Sequence, residues 1–523
     1  MTARPAGAIV EPEFSAVRLI AFIAMVFGMF MAILDIQIVS ASLATIQAGV
    51  SASADEIAWV QTAYLIAEVV MIPLSGILSR AFSTRILFAS SAGGFTLMSL
   101  LCATATDFNQ LILWRALQGF IGGAMIPTVF AAAYSIFPRN KMSIVAPIVG
   151  LVATLAPTIG PTVGGYLTDL FSWRWLFLVN VGPGIVVTLA TWLLVDFDRP
   201  NLAVLKNFDW AGLVSMALFL GALEYLLEEG PSKNWFDESL IVWATVASAS
   251  GALVFFWRAF TAKSPIVDLT AFGNRNFWTG SLASFVLGVG LYGLTYVYPV
   301  YLARVRGFSP LQIGETMFIT GLCQFIAAPI VGRLLNKVDL RLMIGLGFLG
   351  FAWGAAIPAA ITKDWGFQEL LFPQMLRGFS LMFMMVPINT LALGTMPPSK
   401  LKNASGLFNV TRNLGGAFGL AVINTTLNKR FDLHIQRLHE QLTWSNVQAQ
   451  DFLAKLGAVY SHHGADDAML AATRQLAAFA RREALVMSLA DVFVGMAFLF
   501  LFMAGITPIM RKPLAAPPPD LAH

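Results

Sequence analysis

Long apolar runs separated by short polar segments dominate the sequence. A membrane-spanning helix needs about 20 mainly apolar residues. Fourteen runs fit: 18–40, 56–78, 86–106, 110–136, 142–168, 174–195, 210–227, 239–260, 277–302, 311–333, 341–361, 368–395, 404–428 and 485–508. The run 210–227 is the weakest, being short and carrying Glu224. Lipid offers backbone polar groups no partner, so only helices or closed barrels cross it. Runs this long and unbroken are not barrel strands, so the pattern predicts an all-α polytopic membrane protein. The first seventeen residues are polar, and the run that follows continues to about Ser40 and contains Asp35. A cleaved signal has an apolar core of only about 7–15 residues. The first run therefore reads as an uncleaved span.

Composition agrees. Of 523 residues, 57% are apolar and 12% charged, and mean hydropathy is +0.73. Soluble domains carry roughly 25% charged residues, so lipid must cover much of this chain. The net charge of +4 matters less than its distribution. Lys and Arg in short loops set orientation. With an even helix number, the side holding both termini carries 18 basic residues and the short loops opposite carry 5. That places both termini in the cytosol of a cell with an inner membrane. The long segment 429–484 then lies outside with seven more basic residues, but segments of that length largely escape the rule.

Other chemistry is sparse. Cys102 and Cys323 sit inside apolar runs, which argues against a disulfide framework or a zinc site. His462 and His463 lack an acidic or cysteine partner at ligand spacing and read as solvated loop residues. No cofactor, metal or nucleic-acid partner is expected. No glycine-rich phosphate loop with lysine appears, so transport driven by ATP is not expected. No nucleophile–base pair stands out, so an enzyme is not expected either.

An internal repeat organises the runs. Residues 73–95 and 329–351 align at an offset of 256, matching Pro73, Gly76, Leu78, Arg85, Gly94 and Phe95 with Pro329, Gly332, Leu334, Arg341, Gly350 and Phe351. At an offset of 259, Arg115, Gln118, Gly119 and Phe120 face Gln374, Arg377, Gly378 and Phe379. Repeats in one membrane orientation build the two halves of a common transporter fold. Six spans occupy about 180 residues here, so this offset leaves room for two extra spans, 210–227 and 239–260. The expected layout is a tail (1–17), a six-helix bundle (18–200), a two-helix insert (201–262), a second six-helix bundle (263–510) enclosing the outer segment 429–484, and a tail (511–523).

Several motifs fall in register with these spans. The fifth holds Ala156-Pro157-Thr158-Ile159-Gly160-Pro161-Thr162-Val163-Gly164-Gly165. Small residues there allow close packing, and proline bends the axis. The pattern also resembles the antiporter signature G-x-x-x-G-P-x-x-G-G, with Ala156 in place of its first glycine. The fourth span holds Arg115, Gln118 and Gly119, similar to R-x-x-Q-G. An arginine there either snorkels to the interface or has a partner. The loop after the second span keeps Gly76, Leu78 and Arg85 of the pattern G-x-L-a-D-r-x-G-r-r. Arg80 replaces its acid and Ser83 its glycine, which favours a plain basic loop over a charge relay. Leu34-Asp35-Ile36-Gln37-Ile38-Val39, Trp173–Val181, Pro265–Phe277, and Asn409 with Arg412, Gly415, Gly416 and Gly419 complete the set.

Together these resemble the major facilitator superfamily, in particular fourteen-helix drug:proton antiporters of the EmrB/QacA type, nearer the EmrB branch. The resemblance covers residues 30–428. It implies proton-driven efflux of amphipathic small molecules. It also implies that the first and fourth spans line the central cavity, and that a periplasmic adaptor with an outer-membrane channel can serve as partners.

Proton coupling calls for acids within the membrane. Asp35, Glu68, Glu224 and Asp491 fall in spans or at their outer edges. Intramembrane acids are functional candidates by default. Asp35 shares the outer half with Arg115, so the two can pair; Asp35 is then either a proton carrier or a structural partner. Glu68 rests on depth alone, and Glu224 and Asp491 lie nearer helix ends. In the outer segment, Leu433, Ile435, Leu438 and Leu442 predict a short amphipathic helix, with Leu470, Leu476 and Phe479 as its apolar partner set. That segment is either a self-packed cap or an adaptor dock. The function expected is proton-coupled export of drugs or toxic hydrophobic compounds. Export of a dedicated metabolite such as a fatty acid or siderophore, and a non-transporting sensor, are the other readings.

Overall fold

The structure, a computed structural model, describes residues 15–40, 42–53, 56–138, 141–206, 208–441, 447–459 and 465–512. Leu442, His462, His463 and most of both terminal tails lie outside these. Among the described residues every regular element is a helix. The first half comprises α1 (Ala16–Ser40), α2 (Leu43–Val50), α3 (Trp59–Phe82), α4 (Thr84–Thr104), α5 (Phe108–Gly122), α6 (Met125–Ile136), α7 (Met142–Leu170), α8 (Trp175–Leu178) and α9 (Val181–Leu194). Next come α10 (Trp210–Glu229) and α11 (Ser239–Thr261). The second half holds α12 (Arg275–Arg304), α13 (Pro310–Leu334), α14 (Leu340–Ala356), α15 (Phe367–Leu393), α16 (Leu401–Gln441), α17 (Val447–Val459) and α18 (Ala465–Ile506).

Among the described residues thirteen helices, counting α5 with α6 and α8 with α9 as single spans, are long and apolar enough to cross a membrane. The fourteenth expected span lies in α16. Asn403, Asn409, Arg412 and Asn413 lower its hydropathy, yet it packs against α3, α6, α12 and α18 within the bundle. Its polar side chains are turned inward: Asn403, Asn409 and Arg412 are buried.

Local chemistry sets many helix starts. Asp107 accepts from the Gln110 amide, Asp209 from Gly212, and Ser309 forms a capping box with Gln312. Asp339 caps α14 and binds the Arg341 guanidinium at 2.8 Å. These hydrogen bonds hold its carboxyl below the usual carboxylate range. Prolines lie inside α3 (Pro73) and α13 (Pro329), the positions matched by the repeat.

Contacts between the halves run through α7 against α13 and α15, and through α16 against α3 and α6. The two helices α10 and α11 are placed unequally. Helix α10 packs on α11, α3 and α16. On the outer helix α11, Leu253 and Phe260 are 75% and 77% exposed, which gives it a lipid-facing side.

The outer segment differs from the expected separate helix. Leu433, Ile435 and Leu438 lie on a continuation of α16, while Leu470, Leu476 and Phe479 lie on the early turns of α18. At about 1.5 Å per residue, each helix is roughly 60 Å long, about twice the thickness of a bilayer core. Helix α17 packs on α18, with Phe452 and Phe479 ring centroids 6.0 Å apart. Asp491 binds Arg430 at 2.5 Å and His434 at 2.7 Å, tying α18 to the extension of α16.

Candidate functional site

Two sites meet in the bundle: a dry ionic network on the first half and a cavity between the halves. The network centres on Asp35 and Arg115. The Arg115 Nη1 donates to Asp35 Oδ2 at 2.5 Å, and both side chains are 0% exposed. Arg115 therefore does not snorkel. Its Nη1 also reaches Gln118 Oε1 at 2.8 Å, and its Nε donates to the Val60 carbonyl at 3.1 Å. The guanidinium lies 4.3 Å from the centre of the Tyr64 ring. Asp35 Oδ1 accepts from Asn180 at 2.7 Å and from Gln118 at 3.3 Å. Gln118 also binds Ser99 at 2.7 Å. A buried charge is tolerated when it is paired and hydrogen-bonded, and here α1, α3, α4, α5 and the start of α9 supply the partners.

The fourth-span glycine makes this possible. A Cβ on Gly119 would stand 2.3 Å from the Tyr64 carbonyl oxygen, so only glycine lets α5 approach α3 this closely. The repeat reproduces the device: a Cβ on Gly378 would stand 2.4 Å from the Thr320 carbonyl oxygen. The charge is not reproduced. Arg377 donates to Thr295 at 2.8 Å and Gln374 at 3.3 Å, and among the described residues no carboxylate joins them. Arg412, also buried, donates to Asn409 at 2.5 Å and lies 5.1 Å from the Phe130 ring centre.

The antiporter-like motif packs α7 onto α1. A Cβ on Gly160 would fall 2.3 Å from Gln37 Cβ, and one on Gly164 2.6 Å from the Ile38 carbonyl oxygen. Pro161 and Gly165 instead line the cavity. On the α13 side, Gln324 donates to Thr158 at 3.2 Å.

The cavity holds about 550 Å³, a size suited to a drug-like molecule. It lies toward the end of the bundle at which α16 continues past Asn424. Its wall is largely apolar and aromatic, including Leu65, Leu227, Tyr292, Tyr296 and Leu420. Three carboxylates line it: Glu68 from α3, and Glu224 and Glu228 from α10. Glu68 is 2% exposed, and its Oε1 has no hydrogen-bond partner among the described residues. A second cavity of about 790 Å³ shares Tyr296, Val300, Arg304 and Asn424 with the first and adds Arg474, Arg481 and Arg482.

At the opposite end the halves touch. Lys402 on α16 binds Asp198 and donates to the Ser79 carbonyl at 2.9 Å. Asp198 also accepts from the Thr84 amide at 2.9 Å. Ser405 donates to the Pro127 carbonyl at 2.6 Å, and Tyr134 meets Thr390 at 3.4 Å. A Cβ on Gly76 would lie 3.1 Å from the Lys402 carbonyl oxygen, so this motif glycine admits α16. Leu78 lies beside it on α3, and Arg85 stands 5.9 Å from the Trp192 ring centre.

The structure thus brings Asp35, Arg115, Gln118 and Gly119 together, and places Glu68 and Glu224 in the cavity instead. The sequence reading did not single out Asn180, Asp198, Lys402 or Glu228. Asp198 and Lys402 resemble ordinary loop charges, and only the departure of Arg80 from the loop pattern hinted that an acid must come from elsewhere.

Comparison with known proteins follows the same lines. The family model described as Major Facilitator Superfamily matches residues 25–420. The chain is 40% identical over 450 residues to the colistin resistance protein EmrB of Acinetobacter baumannii, covering 86% of this chain and 88% of that protein. It is 28% identical over 511 residues to the multidrug export protein EmrB of Escherichia coli, covering 97% and 98% respectively. The crystal structure of the human organic anion transporter MFSD10 superposes with a TM-score of 0.56 at 13% identity, covering 92% of this chain and 99% of that one.

Proposed function

The chain belongs to the Major Facilitator Superfamily, and from that premise we propose that it is an inner-membrane exporter exchanging protons for amphipathic compounds. The observation that carries this is Glu68: a carboxylate with an unpartnered oxygen, almost fully buried, in a largely apolar and aromatic cavity between the two halves. Such a group is costly when charged and empty. A proton or a bound substrate each relieves that cost, so the two compete for the cavity. Relatives named for colistin resistance and multidrug export support the direction and the breadth of substrate.

The basic residues of the short loops support cytosolic termini. The cavity then faces the periplasm, and the contacts around Lys402 form the cytosolic closure. In this reading substrate leaves toward the outside as Glu68 takes up a proton. The halves then rock, Glu68 releases the proton to the cytosol, and a new substrate enters. Asp35 and Arg115 hold α1 against α5 beside the site and keep the proton path short of the dry network. Sequence reasoning favours Asp35 as the carrier; its saturated hydrogen bonds and lack of exposure favour Glu68. The long extensions of α16 and α18 would meet a periplasmic adaptor and, through it, an outer-membrane channel.

Ethidium accumulation in cells tests the function. Cells carrying the chain should retain less dye than cells without it, and an uncoupler should erase the difference. Equal accumulation with and without the chain, across a panel of amphipathic dyes, would reject export.

A further inference from the structure

We propose that α10, the inner helix of the two-helix insert, carries a subsite for organic cations. Glu224 and Glu228 form it, with Glu68 and the rings of Tyr292 and Tyr296 opposite. The proposal rests on the exporter reading and names a substrate class for it.

The placement of α10 comes first. It packs against α3 and α16, which belong to different halves, so it spans the side of the cleft between them. The exposed large apolar residues of α10, Trp210, Val214 and Leu218, lie in its first half, before the acids. A helix that merely filled space would need no acids at this depth, because intramembrane carboxylates are expensive. Yet the last two turns of α10 hold three. Glu229 is accounted for: it accepts from Thr62 at 3.4 Å and lies 4.0 Å from Lys233. Glu224 and Glu228 line the cavity, and among the described residues neither has a hydrogen-bond or ion-pair partner.

Glu68 adds an independent observation. It comes from another helix, its Oε1 is unpartnered, and it lines the same cavity. Glu224 shares the cavity wall with Glu228, one turn along its own helix, and with Glu68 on α3. Like charges held this close favour whatever brings a positive charge between them.

The ligand follows from the surroundings. Glu224 and Glu228 stand one turn apart on one helix face, about 5–6 Å between Cβ atoms. Tyr292 and Tyr296 are likewise one turn apart on α12 and line the same space. Aromatic faces beside carboxylates attract organic cations. No three side chains converge as metal ligands among the described residues. A diffuse cation on an apolar body, such as a phosphonium or protonated amine, fits the charge and the wall together.

The test is binding to the purified full chain in detergent, using tetraphenylphosphonium and the uncharged triphenylphosphine oxide. The wild-type protein should prefer the cation. Glu224→Gln/Glu228→Gln should weaken tetraphenylphosphonium by about tenfold or more while shifting triphenylphosphine oxide by less than about threefold. Glu238→Gln, on an exposed loop, is the control for a change of surface charge. A double variant that keeps its affinity for the cation, or a wild type that prefers the uncharged probe, overturns the subsite. If the double variant fails to fold, Glu228→Gln alone should still lose about threefold, and no loss there overturns it equally. Binding with the expected pattern but without uptake driven by a pH gradient supports the subsite and counts against proton exchange alone.

Discussion

Lys402 at the start of α16 binds Asp198 just beyond α9, joining the two halves at the end opposite the cavity. The pair lies 204 residues apart in sequence. It supplies the acid that the loop after α3 lacks, where Arg80 stands in the acidic position of the superfamily pattern. A partly exposed pair contributes about 1 kcal/mol or less, enough to bias a rocking equilibrium by roughly fivefold. Ser405 is buried at the same closure. A cysteine placed there should react with maleimide several-fold faster when Lys402→Ala or Asp198→Asn is added. The reversed pair Lys402→Asp/Asp198→Lys should slow it again. Unaltered labelling in both single variants would remove the latch from the account.

Asp35 and Arg115 make a different kind of pair. Both are fully buried, so removing one leaves the other charged and dry. Breaking a buried pair costs about 3–5 kcal/mol. Asp35→Asn and Arg115→Ala should each lower the melting temperature in detergent and impair efflux. Asp35→Asn/Arg115→Gln, which leaves no charge, should melt closer to wild type than either single variant. Single variants as stable as wild type would mean the network does not hold α1 to α5.

Gly164 faces the Ile38 backbone with no room for a side chain. Overpacking costs about 1–3 kcal/mol and parts the helices. Gly164→Leu should insert in the membrane yet lose transport. Gly182→Ala, where a Cβ meets nothing within 4 Å, should transport normally. Efflux by Gly164→Leu at the wild-type rate would contradict close α1–α7 packing.

The extensions of α16 and α18 separate transport from delivery. Deleting residues 440–475 should spare uptake into inverted vesicles and abolish resistance in whole cells. Full resistance after the deletion would leave no role for an adaptor there.

The sequence made much of this legible because intramembrane charge is so constrained. Asp35 and Arg115 could be paired on paper, since each needs a partner and both fall in the same half of the membrane. The offset of 256 residues matched Pro73 with Pro329, and both lie inside helices, α3 and α13. Other features left little trace. Asn180 and Ser99 are common residue types whose role depends on where α4 and α9 meet. Glu228 sits at a span end, where a wet carboxylate is ordinary; only the packing of α10 against α3 and α16 shows that this end is a cavity wall. Apolar spacing did mark a helix at Leu433, Ile435 and Leu438, but its continuity with α16 was hidden, because the unbroken apolar run ends where a helix leaves lipid although the helix itself continues.

Glu68 is the hinge of the account, and one measurement reaches it directly. Inverted vesicles carrying wild type or Glu68→Gln are given substrate under an imposed pH gradient, and then, without a gradient, preloaded for counterflow. Wild type should do both. Glu68→Gln keeps the shape of the cavity but cannot exchange a proton at that position, so it should retain counterflow and lose gradient-driven uptake. Wild-type uptake by Glu68→Gln under the gradient would contradict the account and return attention to Asp35.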